Sequence, residues 1–184
     1  MGIKLLDVEE EECLELGFEL TRSFEFMTTM VVLVKVEYRP QDISPYHWFL
    51  TRTTEKHNGF SSFDVSFHTY RGNFNYLHFF LLDKDLVFEK PPFVFPELIF
   101  KGLPFFDISV YSDKNYHIFE EGDFSYYYYE NTIYALNKEQ AYSYCVELNP
   151  FNIFIFDEND CISGVVLKNI SNKEKDVLRE CGLI

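Results

Sequence analysis

The chain is short of several things, and each shortage removes a class of protein. Bases are scarce: 16 Lys and Arg stand against 30 Asp and Glu, for a formal net charge of −14. Phosphate backbones and anionic lipid surfaces are gripped by Lys and Arg, so neither nucleic acid nor membrane is the expected partner. The four cysteines, Cys13, Cys145, Cys161 and Cys181, lie far apart with no CxxC pair. That spacing predicts no disulfide framework, no metal site and free thiols in a reducing, cytoplasmic setting. No apolar run nears the roughly 20 residues that cross a bilayer; the longest, near Met30–Val36, is interrupted by Lys35. The opening residues lack the basic-then-apolar pattern of a secretion signal. Gly2 does not complete a myristoylation motif, because Leu6 stands where Ser or Thr is required. There is no GxSxG, no phosphate-binding loop and no dinucleotide glycine fingerprint, so no cofactor and no enzyme activity is expected.

What is abundant is apolar and aromatic. Hydrophobic residues make up 47% of the 184 positions and aromatics 19%, with 21 Phe and 13 Tyr. Disordered chains have few of either, and this length suits a single domain over residues 1–184. The acid excess is uneven. Residues 1–21 hold seven acids and one base, and residues 102–167 hold eleven and two. Residues 22–101 hold nine of each. A lopsided field steers a basic partner, whereas mixed charge does not.

The most distinctive stretch is Asn115–Leu136, which has six tyrosines and a group of acids. It reads as a three-stranded meander. Gly122-Asp123 suits a glycine-first two-residue turn, which sets Phe119 opposite Tyr126 and Ile118 opposite Tyr127. Glu130-Asn131 makes a second turn, with Tyr129 facing Thr132 and Tyr127 facing Tyr134. Alternation then puts Tyr116, Ser125, Tyr127, Tyr129, Thr132 and Tyr134 on a wetter face. Phe119, Phe124, Tyr126, Tyr128, Ile133 and Ala135 take the other. Tyrosine has a large apolar body and a polar tip, which suits it to interfaces.

Elsewhere, Leu14–Leu20 alternates as a strand beginning near Cys13, with a turn at Thr21-Arg22-Ser23. Asp7 and Glu10 offer a competing helix cap there. Phe24–Tyr38 is rich in Val and Thr, and Met30–Val36 within it reads as a central strand covered on both faces and ended by Pro40. Tyr46 opens the next strand, and Asn58-Gly59 is a strong turn. Phe63–Tyr70 and Phe74–Leu82 read as a hairpin about Gly72-Asn73, with Phe63, Val65 and Phe67 beside Phe80 and Leu82. Residues 89–104 carry four prolines, so no central strand runs there. One helical turn fits Glu97–Lys101 and a strand fits Phe105–Tyr111. Asn137 and Gln140 form a capping box for a helix to Leu148. A hairpin about Asp157–Asp160 follows, then a short helix capped by Ser171 and Glu174 and ended by Gly182. No internal repeat is visible. The expected fold is α+β: predominantly antiparallel sheet, about ten strands, with two short C-terminal helices.

The five histidines, His47, His57, His68, His78 and His117, include no pair placed for a metal, since the hairpin register sends His68 and His78 to opposite faces. Asp157–Gly164 lacks the glycine and closing glutamate of a calcium loop. An acidic, aromatic-faced protein without a catalytic motif is expected to bind and inhibit. In composition it is similar to the immunity proteins that bacteria make against their own toxins, many of them basic nucleases. On that reading Glu120, Asp123 and Glu130 meet Lys or Arg on a basic partner, and Tyr116, Tyr127, Tyr129 and Tyr134 supply the anchors. The alternatives are a DNA-mimicking anti-restriction protein and an enzyme whose site assembles from distant residues and includes His47 or His117. The oligomeric state is open.

Overall fold

The computed structural model describes residues 2–10, 19–39, 45–51, 63–138 and 141–184. Cys13, His57, the Asn58-Gly59 turn and most of the strand expected from Cys13 lie outside them. In chain order the first strands are β1 (Leu5–Glu9), β2 (Glu19–Thr28), β3 (Val31–Arg39), β4 (Tyr46–Thr51), β5 (Phe63–Phe67) and β6 (Phe74–Leu82). Three short ones follow: β7 (Leu86–Val87), β8 (Ile99–Lys101) and β9 (Leu103–Phe106). The last are β10 (His117–Glu121), β11 (Phe124–Tyr129), β12 (Thr132–Asn137), β13 (Tyr144–Asn149), β14 (Asn152–Phe156) and β15 (Ile162–Leu167), then helix α1 (Asn172–Glu180).

Two large sheets form from these strands. One has six strands, ordered β10-β4-β5-β6-β3-β2, and the other seven, ordered β7-β11-β12-β15-β14-β13-β8. A separate pair joins β1 to β9. The sheets are mixed rather than wholly antiparallel, because β10 runs parallel to β4, β7 to β11 and β8 to β13. Their inner faces share one core. Phe63 of the first sheet lies 4.2 Å from Phe124 of the second, and Phe74 meets Phe154 edge-on at 5.2 Å. Alternation along each strand places these residues inward, as burial of one sheet face requires.

The two sheets are built to one plan. The order β2-β3-β6-β5-β4-β10 is repeated as β11-β12-β15-β14-β13-β8, with the same antiparallel pairs and the same parallel outermost strand. The registers coincide as well. Ser66 pairs with Tyr76 as Ile155 pairs with Gly164, and a bulge follows both, between Ser66 and Phe67 and between Ile155 and Phe156. His47 therefore corresponds to Cys145, Asp64 to Ile153, His78 to Val166, Glu37 to Leu136 and His117 to Ile99. The repeat is one of hydrogen-bond ladders, and the residues that fill it share little.

Several expectations are corrected. Thr21-Arg22-Ser23 lies within β2, and the turn is at Thr29-Met30, while β3 occupies the stretch expected as a strand over Met30–Val36. Strand β3 is interior to its sheet, but its residues alternate between buried and half-buried. Asp7 is in a strand, not a helix cap. The β5–β6 connection runs from His68 to Asn73, so Phe63, Val65 and Phe67 meet Phe79, Leu77 and Phe74 rather than Phe80 and Leu82. Gly72 serves a close approach there: its carbonyl accepts from Phe106 N–H, and a Cβ would fall 2.3 Å from Phe106 O. Glu97–Lys101 gives the edge strand β8, and β9 stops at Phe106.

The helix expected before Leu148 is replaced by strand β13, since Tyr144–Asn149 gains partners on both sides. The Asn149 carboxamide oxygen closes the turn over Pro150 by accepting from the N–H groups of Phe151 and Asn152. The one α-helix among the described residues is the last. Its capping box joins Ser171 and Glu174, and Gly182 follows with φ 75°. No described helix is long and apolar enough to cross a membrane.

Candidate functional site

The stretch Asn115–Leu136 does not form a single meander. The Glu130-Asn131 turn is present, with φ of 46° and 62°, and sets Tyr129 against Thr132 and Tyr127 against Tyr134. Both central residues take positive φ, the condition for the tightest hairpin turn, without glycine. At Gly122-Asp123 the chain instead changes sheets. Strand β10 leaves β11 and runs parallel to β4, placing His117 beside His47 and Phe119 beside Phe49. Gly122 N–H continues that ladder to Thr51 O at 2.9 Å, and a Cβ there would meet Leu50 at 2.9 Å. This glycine permits close packing rather than a turn.

The seven residues expected to form one contact face are consequently divided. Tyr116 and Glu120 belong to the β10 edge of the first sheet. Asp123 sits where the chain crosses over. Tyr127, Tyr129, Glu130 and Tyr134 lie on the β11–β12 hairpin of the second sheet. There, Tyr127 and Tyr134 are half-buried against Phe93 and Phe95 of the proline-rich segment, in a cluster with Leu136, Cys145, Ile153 and Val166. The outer face of the second sheet is thus largely covered by its own chain. Phe119, expected opposite Tyr126, lies instead in the first sheet, where it is 65% exposed.

The corresponding outer face of the first sheet is polar. His47 Nδ1 lies 2.9 Å from Asp64 Oδ1 and 3.3 Å from the Tyr76 hydroxyl. His78 Nε2 lies 2.9 Å from Glu37 Oε1, and its ring stacks on Tyr76 at 4.1 Å. Lys35 Nζ pairs with Glu25 at 2.7 Å. An aromatic ridge borders this patch: Phe49 stacks on Phe119 at 4.9 Å, and His117 lies 5.1 Å from His47. Sequence inspection missed His47, Phe49, Asp64 and His117 as a group, because β4 and β10 are distant in the chain and parallel pairing leaves no local signature.

Burial pushes the His78 imidazole below its ordinary range, against the opposing pull of Glu37 and Asp64. Burial likewise raises the Tyr76 hydroxyl, with Asp64 beside it, so Tyr76 stays a neutral donor. The His78 shift sets a sign. The unfolded chain takes up the proton near pH 6.5 and the folded one only lower, so stability falls as pH drops through that window. His78→Gln should lose less stability between pH 7.5 and 5.5 than the unaltered protein, as measured by thermal unfolding at both values.

Other candidates are structural. Cys145, Cys161 and Cys181 are buried. Burial raises all three thiols, Cys145 to about 11, which is the opposite of an activated nucleophile. Among the described residues no group of three or more His, Cys, Asp or Glu is placed to hold a metal ion. Asp157 Oδ1 accepts from Asn159 and Cys161 N–H within the expected hairpin. No protein-family model matches the chain, and no curated protein matches it.

Proposed function

We propose that this is a non-catalytic binding protein of the immunity type, which neutralises a basic partner such as a toxin nuclease by covering its surface. The contact element is β10 with the sheet face beside it. One observation carries this reading: Phe119 is 65% exposed on a sheet-edge strand, stacked on Phe49, with Glu120, Glu121 and Asp123 in the same segment. An exposed aromatic anchor ringed by charge has the make-up of an interface hot spot. The net charge of −14 favours a basic partner and a fast, salt-sensitive encounter. Glu121 shares the outward face of Phe119, whereas Tyr116 and Glu120 alternate to the other face of this edge, where Tyr116 lies 6.0 Å from the buried Tyr46; Tyr127 and Tyr134 hold the Phe93 segment.

The test is affinity capture from the native host, eluted in salt steps, beside a Phe119→Ala/Glu121→Lys variant. A basic protein released only at high salt and missing from the variant is the expected result. A partner that the variant holds equally well would overturn the assignment.

A second reading rests on the His47–Asp64 pair. A carboxylate on Nδ1 orients an imidazole as a general base, the role an enzyme would need. Turnover in a substrate screen that disappears with His47→Gln would favour it; activity indifferent to His47 would dismiss it.

A further inference from the structure

We infer that His47 and His117 together form a site for a divalent transition metal of the zinc, nickel and copper group. The inference is independent of the occlusion reading. The two residues are direct partners in the parallel β4–β10 ladder, so their side chains leave the sheet on the same face. Their ring centroids are 5.1 Å apart. An imidazole bound at about 2.1 Å puts its ring centre about 3.2 Å from the ion, and a tetrahedral angle then separates two centres by about 5 Å. The observed spacing, close to the 4.9 Å of the neighbouring Phe49–Phe119 pair, allows that geometry.

The second observation is tautomeric. His47 Nδ1 is within 2.9 Å of the Asp64 carboxylate, which can only accept. The ring proton therefore sits on Nδ1, which leaves Nε2 as the nitrogen able to bind a metal. That is the carboxylate–histidine arrangement that orients metal-binding imidazoles and raises their basicity. The Tyr76 hydroxyl lies 3.3 Å from the same Nδ1, whose proton its oxygen can only accept.

The third observation comes from the repeated plan of the two sheets. In the second sheet the positions of His47, Asp64, His78 and Glu37 are filled by Cys145, Ile153, Val166 and Leu136, a packed apolar layer. The position of His117 is filled by Ile99. The apolar set lies under the Phe93 segment, and the same ladder positions of the first sheet carry the polar set instead. Two imidazoles complete only part of a coordination sphere, so water or a partner's side chain takes the remaining positions. A site of this kind sits beside Phe119, on the face proposed for the partner.

Titration calorimetry of the untagged full chain with Zn²⁺ tests the site. One saturable ion per chain is expected. His117→Gln, at an exposed position, should weaken it at least tenfold without shifting the metal-free unfolding midpoint. Asp64→Asn should weaken it roughly 10–100-fold through the ring it orients, while His68→Gln leaves it unchanged. Absence of saturable uptake by the unaltered chain would overturn the site. So would binding that survives His117→Gln.

Discussion

Arg22→Ala is expected to destabilise the fold by about 3–5 kcal/mol, the cost of leaving a buried carboxylate without its partner. Arg22 lies in β2, and its guanidinium reaches the far sheet and the helix together. Nε donates to Glu174 Oε1 at 2.6 Å and Nη2 to Oε2 at 3.0 Å. Nη1 donates to Lys168 O at 2.9 Å and to Asn152 Oδ1 at 3.3 Å. Both side chains are nearly enclosed, with 10% and 9% of their surface exposed. Glu174 does two jobs, since its Oε2 also accepts from the Ser171 N–H at 2.7 Å in the capping box.

Burial works against the Glu174 charge, but Arg22 and Ser171 outweigh it and hold the carboxyl below its usual range. Stability from the pair is therefore full above the unfolded value of about 4.3, and is lost as pH falls through the lower folded value. Urea unfolding at pH 7 and pH 3 checks both claims. Arg22→Ala/Glu174→Gln should recover part of the loss, because it removes the stranded charge and keeps a cap. A single variant within 1 kcal/mol of the unaltered protein would show that Arg22 is not the clasp between the sheets.

Phe63→Ala is expected to cost about 3–5 kcal/mol, the range for deleting a fully enclosed aromatic ring. Phe63 is buried and stacks on Phe79 at 4.9 Å within its own sheet. Across the sandwich it touches Phe124 at 4.2 Å and lies 6.4 Å from Tyr126. Its removal empties the middle of the contact between the two sheets, where neither backbone can collapse inward. Phe119→Ala is the counterpart on the surface and should change stability by no more than about 0.5 kcal/mol. Chemical denaturation of the two variants side by side separates a core ring from a contact ring.

Local chemistry was legible in the sequence. The Ser171–Glu174 capping box, the Gly182 stop and the Asp157–Asp160 hairpin were all readable from spacing alone. So was the Glu130-Asn131 turn, with Tyr129 facing Thr132 and Tyr127 facing Tyr134. What misled was a strong local signal overruled by distant pairing. Gly122-Asp123 has good hairpin chemistry, yet β10 gains more by joining β4. Asn137 and Gln140 announce a helix, yet Tyr144–Asn149 is captured between β8 and β14. The repeated plan of the two sheets was invisible because ladders repeat while side chains do not: His47 and Cys145 share a position and no chemistry. For the same reason the aromatic-acidic stretch looked like one face, although its residues belong to two sheets.

The central proposal is that the outer face of the first sheet, edged by β10, takes the partner, whereas that of the second lies under the Phe93 segment. Amide hydrogen exchange, with and without the captured partner, tests it most directly. Protection gained at 46–51 and 117–121, with the β11–β12 hairpin unchanged, is the expected pattern. Protection confined to 124–137, with β4 and β10 exchanging as before, would contradict it.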